Sequence, residues 1–177
     1  MAVALRYGNV VDKYLMVVPG AASLADQYMD TVQASIEAQQ LPVRLAQEKA
    51  TSGLLGAVRG QKRTVLLVEP TSAALGDFSL FLFGVPNGVN LSVGWFLSEE
   101  GRGQKTVMSS LHPLAGAAAG MSDLLRNLNI FDVADLQSIC TAVHEYAVME
   151  AVYAVSDRVG LDRSRINKGS SGFLGIH

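Results

Sequence analysis

DFSLFLFGVPNGVNLSVGWFLSEE, residues 77–100, decides how the rest of the chain is read. Between Asp77 and Glu99 it carries no charge over about 20 residues, the length that also spans a bilayer as a helix. Pro86-Asn87-Gly88 at its midpoint argues against a span. Proline holds φ near the value of a turn's second residue, and asparagine and glycine tolerate the bend that follows. Two apolar runs about such a trio predict a β-hairpin.

Two loop types compete for its register. A two-residue Asn87-Gly88 loop sets Pro86 opposite Val89 and Leu80 opposite Trp95. A three-residue loop, with Gly88 left-handed as a bulge, pairs Val85 with Val89. The second gathers Phe81, Phe83, Val85, Val89, Leu91, Val93 and Trp95 on one face. It leaves Phe78, Leu80, Leu82, Asn90, Ser92, Gly94 and Phe96 on the other. A one-residue slip exchanges faces, so this cleaner sorting makes the three-residue loop the expectation. Both faces carry large apolar groups. The hairpin is therefore expected to be covered on both sides, or to line a cavity or a subunit contact.

Upstream, Ala2–Tyr7 and Val10–Val18 flank Gly8-Asn9, a pair suited to a tight hairpin, and Pro19-Gly20 stops the second run. Ser23 reads as a helix N-cap with Asp26 three places on. Leu24, Tyr28, Val32 and Ile36 then recur every fourth residue, giving an amphipathic helix that ends near Gln40. Val43–Lys49 and Arg63–Glu69 read as strands. Downstream, 105–111 (KTVMSSL) reads as a further strand and 114–129 as a helix. Asp132, with Asp135 in third position, is expected to cap a last helix that Gly160 ends.

Short loops between successive strands imply an antiparallel meander. The expected class is α+β: an antiparallel sheet packed by an N-terminal amphipathic helix and a long C-terminal helix. That order resembles helix-grip proteins, whose long C-terminal helix lies across a curved sheet around an apolar cavity. The resemblance is one of fold alone. Residues 1–168 are expected to form a single domain and 169–177 a flexible tail.

The length of 177 residues suits one domain with a core. With 49% apolar residues, 17% charged residues and a mean hydropathy of +0.26, the chain is greasy for a monomer. A formal charge of −2 argues against general nucleic-acid affinity. The single cysteine, Cys140, excludes an intramolecular disulfide and suits a reducing compartment, and the first residues lack a secretion signal. The expected location is cytoplasmic.

Three stretches carry candidate chemistry. In 53–63, Gly53, Gly56 and Gly60 free the backbone beside Arg59, Lys62 and Arg63, a pattern able to hold an anion. It is not a P-loop, because GQKR leads into a strand. Arg59, Gly60, Lys62 and Arg63 are the anion-binding candidates. In the last helix, Val133, Leu136, Cys140, Val143, Ala147, Ala151, Ala154 and Val155 form a stripe. Val148, Val152 and Val159 widen it beyond what one sheet face needs. With Glu145 and Glu150 they are the candidates for an interface between copies. Cys140 and His144 lie one turn apart; the thiol is expected to be buried and the imidazole to sit at the stripe's edge. Neither covalent nor metal chemistry is assigned to them, and no cofactor is expected. The third stretch, 158–168, is basic, with Arg158, Arg163, Arg165 and Lys168 set against Asp162.

No catalytic constellation is recognisable. The expectation is a non-enzymatic binding or assembly module that contacts a second copy, a protein partner or an apolar ligand. The rival is an enzyme or sensor that holds an anionic small molecule on 53–63. Nucleic-acid contact through 158–168 ranks third.

Overall fold

A computed structural model describes residues 2–5, 10–52, 63–99, 128–166 and 169. The protein is an α+β domain built on one sheet, with two long helical segments on one of its faces. The strands are β1 (Ala2–Leu5), β2 (Val10–Val18), β3 (Val43–Ser52), β4 (Arg63–Pro70), β5 (Phe78–Asn87) and β6 (Asn90–Glu99). Their order across the sheet is β1-β3-β4-β5-β6-β2. Every neighbouring pair is antiparallel except β1 and β3, which run parallel. The expected β1/β2 hairpin is therefore not made. β1 crosses to the opposite edge and joins β3, so strand pairing overrules a local turn preference. The expected strand at 105–111 and helix at 114–129 lie outside the described residues, apart from the last two positions of the helix.

β5 and β6 do form the hairpin, in neither of the two registers weighed above. Asn87 pairs with Asn90, Val85 with Ser92 and Leu82 with Trp95, so the loop is Gly88-Val89. Gly88 has φ +61° while Val89 stays at negative φ, the pattern of a two-residue turn with glycine first. Contacts beyond the hairpin favour this choice. The Val89 carbonyl accepts from the Ala22 N–H at 3.1 Å, and the Asn90 side chain accepts from the Gly20 N–H at 3.3 Å. Pro86, which cannot donate, lies past the Leu66–Val68 stretch where β4 pairs with β5.

The new register re-sorts the faces. Phe78, Leu80, Leu82, Leu91, Val93, Trp95 and Leu97 look toward the helices and are buried. Phe81, Phe83, Val85 and Phe96 lie on the outer face, where Val65, Leu67 and Phe81 make a second, smaller buried cluster.

Helix α1 (Ala25–Ala38) follows a 3-10 turn at Ala22–Leu24. Ser23 does not cap it; the N-cap position falls to Leu24, with no side-chain bond. The predicted stripe holds: Tyr28, Val32 and Ile36 are buried, joined by Ala25. Tyr28 lies against Gly84 of β5, where a Cβ would come within 2.5 Å of the tyrosine ring, so glycine is what lets the helix approach.

The C-terminal segment is α2 (Ile130–Val143), a π turn (His144–Val148) and α3 (Met149–Arg158). Its cap is Asn129, one turn ahead of the expected Asp132. Asn129 Oδ1 accepts from the N–H groups of Phe131 and Asp132, and Asp132 returns a carboxylate to the Asn129 N–H, closing a capping box. Gly160, at φ +69°, ends the segment as expected. The π turn and α3 pack beside α1. Side chains fill the space between these helices and the sheet, with Trp95, Tyr14, Tyr28 and Leu136 among the largest.

Candidate functional site

Two places gather polar or exposed groups worth testing for function. The first is a polar knot beneath the C-terminal helix. β2 and β6 pair Tyr14 with Trp95, and both side chains point at the helix. His144, the first residue of the π turn, settles between them. Trp95 Nε1–H donates to His144 Nδ1 at 3.1 Å, and the Tyr14 ring meets the imidazole edge-on at 4.7 Å. Asp12, two residues before Tyr14, is also buried, and its Oδ1 accepts from the Lys13 N–H at 2.6 Å.

Cys140 lies one turn before His144 and is fully buried, as its place in the stripe predicts. His144 is not at an edge. It has no exposed surface, because Tyr14 of the outermost antiparallel strand covers the flank of the helix.

The chemistry of the knot is restrained. Burial pushes the Cys140 thiol well above its ordinary value, and the nearby Asp12 charge adds to the effect. A thiol held protonated and out of water is a poor nucleophile. An indole N–H can only donate, so the Nδ1 lone pair of His144 is taken and the imidazole proton sits on Nε2. Burial likewise raises the phenols of Tyr14 and Tyr28. Among the described residues no three His, Cys, Asp or Glu side chains gather as metal ligands. This arrangement ties two strands to a helix and sets their mutual register.

The second place is the outer face beside β2. Leu15 is 50% exposed and Val17 52%. Leu15 pairs with Gly94 of β6, and Gly94 with Phe83 of β5; Val17 pairs with Ser92, and Ser92 with Val85. The middle strand thus presents no side chain or a short one, between apolar residues on both sides. Leu15 and Val17 form a ridge, and Ser92 and Gly94 the floor of a trough whose far wall is Val85 and Phe83. Two strand spacings set its breadth at about 10 Å. Phe83 leans from β5 toward β6 and stacks on Phe96, centroids 5.4 Å apart. Gly94 cannot be replaced freely: at φ +156°, a Cβ there would stand 2.0 Å from the Tyr14 carbonyl oxygen.

The sequence-derived candidates fall elsewhere. Arg59, Gly60 and Lys62 lie outside the described residues, and Arg63 opens β4, its backbone paired with Ala50. Val148 and Val152 have no exposed surface and belong to the chain's own core, so a second copy meets neither. Val159 is half-buried against that core, Glu145 is half-buried and Glu150 is exposed. In the basic stretch, Arg163 folds back in a two-pronged ion pair with Asp157, holding that carboxyl below its usual value, and lies over the Tyr153 ring. Arg158 and Arg165 are exposed, and Lys168 is outside the described residues.

A shallow hollow of about 300 Å³ opens between the end of α1 and β3, lined by Ile36, Glu37, Gln40, Leu41, Val43 and Leu45. No described helix is long and apolar enough to cross a membrane. Comparison with family models, curated proteins and solved structures gave no match.

Proposed function

We propose that this domain is a non-enzymatic assembly module whose occupant is a second copy of the same chain, met on the outer face of the sheet. The observation that carries the reading is the ridge of Leu15 and Val17 lying beside the trough over Ser92 and Gly94. Such a surface is complementary to itself. Turned about a two-fold axis, the ridge of one copy lies in the trough of the other, and the reverse, which is how an isologous contact is built. The small formal charge of −2 sets little repulsion between copies. The apolar fraction of the composition supports the same reading.

The test is sedimentation or light scattering at about 10 µM, where a stable dimer of ordinary interface size is populated. The wild-type chain is expected to run as a dimer, and the Leu15→Lys/Val17→Lys variant as a folded monomer. A wild-type monomer at that concentration, or a variant that stays dimeric, ends the proposal.

A further inference from the structure

The C-terminal helical segment holds a geometric mismatch. In an unbroken α-helix each residue advances about 100° around the axis. On that count the buried residues of α2 (Leu136, Ile139, Cys140 and Val143) share one direction. Those of α3 (Met149, Ala151, Val152, Val155 and Ser156) centre about 160° away. A straight helix would therefore turn Glu150 and Asp157 toward the sheet whenever Leu136 and Cys140 faced it. Both acids are in fact outside, and Ala154, a stripe member by α-helical spacing, is exposed.

The π turn lies between the two stripes. The Met149 N–H reaches back five residues to the His144 carbonyl, where an α-helix reaches four. One residue is thus taken up without advancing the helix by a full step, which offsets about 100° of the rotation by which the stripes disagree. The residue the turn leaves outside is Tyr146, which is 54% exposed, while His144 and Val148 on either side have no exposed surface.

We infer that the π turn is a register joint: a one-residue insertion, held at 144–148, that brings two misaligned apolar stripes onto a single core. With Tyr146 removed, the Met149-to-His144 bond spans four residues and becomes an ordinary α-helical bond. The stripes then agree to within about 60° along an unbroken helix. His144 and Trp95 keep their places, because His144 precedes the deleted residue and Trp95 lies outside the helix.

The consequence runs against the usual rule that deletions inside a core helix are lethal to a fold. The experiment compares three variants by circular dichroism, Trp95 fluorescence and thermal melting. Tyr146→Ala removes the side chain and keeps the residue. Deletion of Tyr146 removes both. Deletion of Ala154, also exposed, takes one residue out of α3, where no extra residue exists.

The first two are expected to fold, with midpoints within about 5 °C of wild type. Deletion of Ala154 is expected to lose the cooperative melt, because Val155 and Ser156 swing about 100° off the core. Failure of the Tyr146 deletion to fold overturns the inference. Unfolding by Tyr146→Ala overturns it too, since that side chain would then be structural. So does an Ala154 deletion that melts like wild type, because the stripes would then not set the register.

Discussion

The two faces of the sheet are built from similar residues and end in different states. Toward the helices, Leu80, Leu82, Leu91, Leu97 and Trp95 have no exposed surface. The Trp95 N–H is paired with His144, while the Tyr28 hydroxyl and Ser156 Oγ are buried without a hydrogen-bond partner among the described residues. On the outer face, Val65 and Leu67 of β4 and Phe81 of β5 are buried, but on β2 Leu15 and Val17 are half in water. Hydrophobicity does not separate these groups. What separates them is that α1 and the C-terminal segment cover one face from β4 to β2, whereas burial on the other fades toward β2. An apolar side chain becomes core only where something is there to cover it.

This contrast can be broken from the covered side. Cys140 is reached by a thiol reagent only when the helix lifts. Labelling near neutral pH is therefore expected to be at least about 10³-fold slower than that of a free model thiol, given ordinary domain stabilities. A rate close to that of the free thiol would mean that the helix face is open and the two faces do not differ.

A smaller effect is expected at the knot. His144→Leu leaves the buried Trp95 N–H without its acceptor, a loss of about 1–3 kcal/mol in urea unfolding. Combined with Trp95→Phe, the two changes should cost less than their sum, by about 0.5 kcal/mol or more. Strict additivity would show that the hydrogen bond contributes nothing and that only packing holds the helix at this point.

The smallest effect belongs to the outer face. The Leu15→Lys/Val17→Lys variant used to test assembly should shift the stability of the folded monomer by no more than about 0.5 kcal/mol. A loss several times larger would place Leu15 and Val17 in the core and abolish the difference between the faces.

Much of the architecture was legible in the residues. The spacing of Tyr28, Val32 and Ile36 reveals α1, and alternation with turn residues reveals β3 to β6. The stripe position of Cys140 foretells its burial, and Gly160 ends the last helix as expected. These features come from local periodicity, which a chain carries whatever its surroundings. The candidate site was less legible. Leu15 and Val17 read as ordinary strand residues, and nothing in a single strand says whether its outer face will be covered. One signal was available at the turn: Gly88-Val89 fits a two-residue loop with glycine first, a reading masked by the apparent strength of Pro86-Asn87-Gly88.

The wide apolar arc of the last helix shows where the division lies. By sequence alone it predicts a helix with surface to spare for a second copy, and Val148 and Val152 as part of that contact. In the fold most of that arc is used within the chain's own core. Two narrower stripes are brought into line by one wide turn, and both valines are core.

The sequence by itself determined the class of fold, the main elements and most of the residues that would be buried, because each depends on spacing within a short segment. Only the tertiary structure decided the hairpin register, the partner of β1, the burial of His144 and the site of the π turn. Each of those rests on a contact between segments far apart in the chain: Ala22 with Val89, β1 with β3, Tyr14 and Trp95 with the helix, and both apolar stripes with one sheet. Local propensities differ by fractions of a kilocalorie per mole, and packing a buried side chain is worth several times as much, so packing settles what spacing leaves open.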